Sequence, residues 1–95
     1  MQVTMSSNTL KIDGNIKSVN DYKEIKTATE SLVQVHTNII VEIVDSLSIT
    51  SSVIGYFNKI VLKDSIIVSM RVGNTQLMEL LEDLNLTSVF KVRKI

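Results

Sequence analysis

The spacing of apolar and polar positions changes several times along the chain, and each change marks an element. Val3 and Met5 alternate with polar neighbours, and after Ser6-Ser7-Asn8 the alternation resumes at Leu10 and Ile12. Two period-two runs around turn-forming residues predict short strands joined as a hairpin. The first run reads equally as a frayed terminus. Gly14-Asn15 ends the second. From Ser18 the period lengthens: Tyr22, Ile25, Ala28 and Leu32 fall three or four apart, with Lys23, Glu24, Lys26 and Glu30 between them. That stripe predicts an amphipathic helix ending near Val35 or His36. Ser18 or Asn20 suits its N-cap, and Asp21 and Glu24 suit the positive end of its dipole.

Ile39 to Ile43 is a near-continuous apolar run interrupted by Glu42. It reads as a strand buried on both faces, in a parallel sheet with helices on either side. Glu42 reads either as a group facing the sheet's loop edge, where ligands and partners bind, or as a structural carboxylate bonding backbone N–H groups of the following loop, and the second is the expectation. After a polar interval, Val53, Tyr56 or Phe57, Ile60 and Val61 form a second helical stripe that starts near Ser51 and stops at Lys63-Asp64. Ile66, Ile67, Val68, Met70 and Val72 predict another buried strand, broken by Gly73-Asn74. Leu77, Leu80, Leu81 and Leu84 predict a third helix, with Asn85 as its left-handed terminator. Leu86 to Phe90 packs the chain back, and Phe90, Val92 and Ile95 are expected in a last strand. The order β-β-α-β-α-β-α-β predicts an α/β fold. It is one domain over residues 1–95, with a mostly parallel sheet of four to five strands, an N-terminal antiparallel hairpin and three to four helices.

Composition narrows the chemistry. Ninety-five residues suit a single domain, and 44% hydrophobic against 21% charged residues excludes a disordered chain. There is no cysteine, which removes disulfides and thiolate metal sites. Ten basic residues balance ten acidic ones, so no excess charge is present to neutralise nucleic acid. The basic end, Lys91, Arg93 and Lys94, reads as a solvated strand edge. The polar residues Met1 to Asn8 hold no secretory h-region, and no run reaches the ~20 apolar residues of a membrane span. A cytoplasmic protein without membrane insertion is the expectation.

No catalytic constellation emerges. His36 is the only histidine, at a predicted helix end, without a nucleophile or carboxylate beside it. One histidine and no cysteine do not make a metal site, and Gly73-Asn74 lacks the glycines and lysine of a phosphate loop. No cofactor is implied. The strongest signal is Thr50-Ser51-Ser52, preceded by Ser46 and Ser48. One hydroxyl is accounted for as a helix cap. Five exceed what a cap needs, and a phosphoryl group would sit well at a helix N-terminus.

The chain resembles the sulfate-transporter and anti-sigma-factor-antagonist (STAS) family. Ile39-Ile40-Val41-Glu42 is similar to the family's strand, with Glu for Asp, and Thr50-Ser51-Ser52-Val53 falls on its Asp-Ser-Ser-Gly turn. Gly55 falls where the family often has a second small residue. Asp13-Gly14-Asn15-Ile16, Arg71-Val72-Gly73-Asn74, the leucine-rich third helix and Leu86 to Phe90 extend the resemblance over nearly the whole chain. It implies a regulatory module that binds a protein partner, an anti-sigma factor or serine kinase, and releases it on phosphorylation. The phosphoacceptor falls on Ser51, and the docking surface on Ser48, Thr50, Ser51, Ser52, Asn58 and Lys59. Thr50 and Val53 depart from the family's Asp and Gly. Val53 is expected to stiffen the helix start and narrow access to Ser51. A second reading keeps the fold without the switch, as a constitutive docking or assembly element that includes a homodimer among its forms. A third is a small enzyme or ligand binder at the sheet's C-terminal edge.

Overall fold

The computed structural model describes residues 1–95. Strands β1 (Gln2–Ser6) and β2 (Thr9–Asp13) form the hairpin, joined through Ser7, whose φ of 57° supplies the tight reversal. Helix α1 (Val19–Val33), strand β3 (Asn38–Ile43), helix α2 (Ser51–Leu62), strand β4 (Ile67–Val72), helix α3 (Thr75–Asp83) and strand β5 (Arg93–Lys94) follow. The five strands lie in chain order, β1-β2-β3-β4-β5, with β1 antiparallel and the rest parallel.

That order decides which face is dry. Each crossover from β2 onward steps to the next strand in the same direction. Right-handed crossovers that never reverse put every helix on one face of the sheet. The burial pattern agrees. Leu10, Ile12, Ile39, Val41, Ile43, Val68, Met70 and Val72 are buried beneath the helices, in one core cluster of 21 residues. Their alternates Lys11, Ile67 and Arg71 are exposed, and Ile40, Glu42 and Ser69 are half-buried. The expectation that Ile39 to Ile43 is covered on both faces is therefore corrected. Ile40 is shielded in part by its cross-strand neighbours Thr9 and Ser69, with no helix above it.

Helix ends follow their local signals. Ser18 caps α1 in a reciprocal capping box: its Oγ accepts from the Asp21 N–H at 3.0 Å, and Asp21 Oδ2 accepts from the Ser18 N–H at 3.1 Å. Asn85 takes φ 58° after α3, and the Leu86 N–H returns to the Leu81 carbonyl at 3.0 Å. The final strand is shorter than expected. Phe90 lies in a turn, fully buried, with its ring edge-on to Phe57 at 6.3 Å. Lys91, at φ 47°, then redirects the chain: Arg93 and Lys94 pair in register with β4, while the Phe90 carbonyl accepts from the Met70 N–H at 2.9 Å and the Ile95 N–H donates to the Val72 carbonyl at 3.0 Å.

Candidate functional site

The loops after β2, β3 and β4 gather at the C-terminal edge of the parallel strands, where open α/β sheets present their binding groups. Two of them are stapled together. The Gly14 N–H donates to Asp45 Oδ1 at 2.8 Å, and the Leu47 N–H to Asn15 Oδ1 at 2.9 Å. Ser46, fully buried, accepts from the Ile16 N–H at 3.0 Å and donates to the Ser48 carbonyl at 2.6 Å. Residues 45–48 thus have a fixed path into α2. Ser46 belongs to this scaffold, so the surplus of hydroxyls in the segment is partly structural. The pattern of Asn, Asp and Ser at strand ends could have signalled loop bonding, but its partners lie about thirty residues away.

The remaining hydroxyls divide cleanly. Thr50 is the N-cap of α2, its Oγ1 accepting from the Val53 N–H at 3.3 Å. Ser51 and Ser52 occupy the first two helical positions, are exposed, and make no side-chain hydrogen bond. Ser48 is exposed before the cap. Ser52 and Thr50 line a shallow groove of about 280 Å³ with Lys17, Ser18, Val19 and Tyr22, so the N-termini of α1 and α2 share one surface. Val53 is fully buried. Its side chain adds to the core and does not narrow access to Ser51, contrary to the expectation from its β-branching.

Beyond the turn, Ser51, Gly55, Asn58, Lys59 and Leu62 recur at helical spacing along the outer side of α2. Asn58 is half-buried and Lys59 exposed, 3.8 Å from Asp64 in a surface pair worth little. At Gly55 an added Cβ would meet nothing within 4 Å, so no packing within the chain requires glycine there. Leu47, at 48% exposure, and Val19, at 70%, supply apolar surface beside the turn.

Other candidates resolve differently. Glu42 makes no bond to the following loop. It lies on the uncovered sheet face in a row with Lys11 and Arg71. Gly73 is more than a turn residue, because a Cβ there would stand 1.9 Å from the Val44 carbonyl oxygen. His36 has no acid or nucleophile bonded to it, and no group of three His, Asp or Glu residues converges as a metal site. No helix is long and apolar enough to cross a membrane. The basic end splits: Lys94 bonds the Ile95 carbonyl at 2.9 Å, while Lys91 and Arg93 converge on Arg71.

Two groups are shifted from their ordinary ionisation. The Lys17 N–H, 2.9 Å from Oδ2, holds the Asp21 carboxyl below 3.8, with the Ser18 N–H and hydroxyl adding to it. Burial pushes the Tyr56 phenol well above its ordinary value, and the nearby negative charge of Glu30 adds to the effect. The Tyr56 hydroxyl has no hydrogen-bond partner, and its ring stands edge-on to Tyr22 at 6.5 Å. It is a core aromatic packed between α1 and α2.

Comparison with known proteins returns no match among family models, curated proteins or solved structures.

Proposed function

We propose that this chain is a regulatory protein-interaction module of the STAS kind, working in the cytoplasm. It docks a protein partner, an anti-sigma factor or serine kinase, through the Ser48–Ser52 turn and the outer side of α2. Ser51 is the phosphoacceptor. One observation carries the proposal: Thr50 alone satisfies the cap, which leaves Ser51 and Ser52 exposed and unbonded at the positive end of a twelve-residue helix. A phosphoryl group there is favoured by the helix N-terminus. It adds a charge of about −1.5 to −2 to a surface that docks when neutral. The open position at Gly55 lets a partner backbone approach the helix closely.

Incubation with ATP and an extract of the native source, followed by intact-mass analysis, tests the switch. Wild type gains one phosphoryl group and Ser51→Ala gains none. Equal labelling of the two removes Ser51 as acceptor. An unlabelled wild type that still docks its partner leaves the constitutive module instead. Lys59→Glu tests the surface separately, because it alters the outer side of α2 without touching the turn. Partner affinity unchanged by that substitution places docking elsewhere.

A further inference from the structure

On the sheet face that no helix covers, we propose a binding site for a small phosphate-bearing ligand, formed by Ser69, Arg71, Lys91 and Arg93. It is independent of the Ser48–Ser52 turn. The four residues, with the Met70 backbone region between them, line a recess of about 370 Å³ between β4 and β5. That volume lies at the lower end of small-molecule sites, roughly 300–1,000 Å³.

Three observations point to an anion. The parallel register of β4 and β5 sets Arg71 directly beside Arg93. Like charges opposite one another on adjacent strands are destabilising, and no carboxylate lies within 4.0 Å of either guanidinium. The single ion pair in the molecule is Lys59–Asp64, on α2 and its flank. Glu42 pairs with Arg71 in register across β3 and β4, yet stays beyond the 4.0 Å of an ion pair. Secondly, Lys91 joins the same recess from a backbone at φ 47°, a conformation uncommon for a residue with a Cβ. Buried Phe90 immediately before it and the Val92 N–H bond to the Thr87 carbonyl at 2.9 Å hold the turn that presents it. Thirdly, the chain has no net charge, so three of its ten basic residues meeting without an acid among the lining residues is a local concentration.

The chemistry of the lining selects the ligand class. Two guanidinium groups offer forked donors that match phosphate oxygens, an ammonium adds a third charge, and the Ser69 hydroxyl adds a neutral donor. Three positive charges suit a phosphoryl group better than a single carboxylate. A nucleic acid would need a longer basic track, and the same face carries Glu42 and Asp13.

Titration of the full chain with inorganic phosphate and with pyrophosphate at low ionic strength, followed by calorimetry and backbone amide NMR, tests the site. Saturable binding is expected, with shifts centred on residues 69–71 and 91–93 and acetate binding more weakly. Arg93→Gln is expected to weaken binding at least about tenfold, as for loss of a charge-assisted hydrogen bond. Lys63→Gln, at an exposed lysine outside both sites, leaves it unchanged. Arg93→Lys keeps the charge without the fork and falls between. The amide spectrum of the free Arg93→Gln protein verifies that it is folded, and Lys91→Gln supplies a second weakened variant. Non-saturating shifts, equal loss in Lys63→Gln, or full affinity in both Arg93→Gln and Lys91→Gln would overturn the site. Saturable binding of duplex DNA or of an acidic peptide, with neither phosphate nor pyrophosphate bound, also overturns it.

Discussion

The turns after the two central strands perform the same local task and differ in what they leave over. Between β4 and α3 the connection is Gly73-Asn74. Asn74 caps α3 through the Leu77 N–H at 3.0 Å, and Gly73 lies against the Val44 carbonyl so closely that a methyl group does not fit. Nothing in that turn is spare. Between β3 and α2 the connection runs from Val44 to Thr50. Asp45, Ser46 and Thr50 are consumed by the staples and the cap, while Ser48, Ser51 and Ser52 stay exposed and free in their side chains. The short turn seats one strand end against another; the long one uses half its polar groups to immobilise the other half. The second arrangement suits the proposed docking role, because free groups on a fixed backbone dock with less ordering cost.

The sharpest way to break the contrast is Gly73→Ala. Its Cβ would fall 1.9 Å from a backbone oxygen, and neither strand end can yield cheaply. A loss of about 3 kcal/mol or more is expected, read as a fall in Tm of more than ~10 °C. A melt close to wild type would show that the strand ends are not seated as described. Ser46→Ala follows, because it strands the buried Ile16 N–H and the Ser48 carbonyl. It should cost about 1–3 kcal/mol in denaturant unfolding and speed amide exchange at Ile16. Exchange unchanged there means the staple contributes nothing.

Removing the two caps compares the turns directly. Thr50→Ala and Asn74→Ala should each cost about 1 kcal/mol, with faster exchange confined to Val53 and Leu77 respectively. Ser51→Ala should leave stability within about 0.5 kcal/mol of wild type. A Ser51 substitution as costly as the Thr50 one would mean that Ser51 is structural after all. Gly55→Ala goes the other way, with a gain of about 0.5–1 kcal/mol, since the helix there has room for a methyl group. A stabilised Gly55→Ala that binds its partner less well would mark α2 as the docking helix; unimpaired binding would place the contact elsewhere.

The smallest effect concerns pH. The Asp21 carboxyl of the α1 capping box is held below its ordinary 3.8. Its folded value being depressed, the stability it contributes is present above 3.8 and lost as the pH falls through the lowered value. Asp21→Asn should therefore melt below wild type at neutral pH, and the gap should close in acid. A gap independent of pH would assign the effect to packing instead of charge.

Much of the long turn was legible from residue order. Ser51 was expected to begin α2 and Thr50 to Ser52 to supply its cap, and the helix does begin at Ser51 with Thr50 as N-cap. The same holds for Ser18 before α1 and Asn85 after α3. These signals act within one turn of helix, so neighbouring residues contain them entirely. The division of labour among the hydroxyls was not legible. Ser46 and Ser48 look alike in sequence, and Ser46 is structural only because Ile16 arrives beside it from a different loop. The burial of Val53 was legible from its place in the apolar stripe with Ile60, and only its effect on access to Ser51 was misjudged.

What the sequence determined by itself is the α/β alternation, the helix starts, the ends of α2 and α3, and the absence of thiol chemistry; α1 stops at Val33, short of the expected Val35 or His36. Each depends on residue type and on spacings of two to four. Tertiary structure decided which strand face is dry. The run Ile39-Ile40-Val41 is compatible with one covered face or two, and the one-directional strand order leaves the second face open. It also decided that Arg71 stands beside Arg93 and that Ser46 is enclosed. Pairing register and loop-to-loop contact join segments distant in sequence, and no local period encodes that distance.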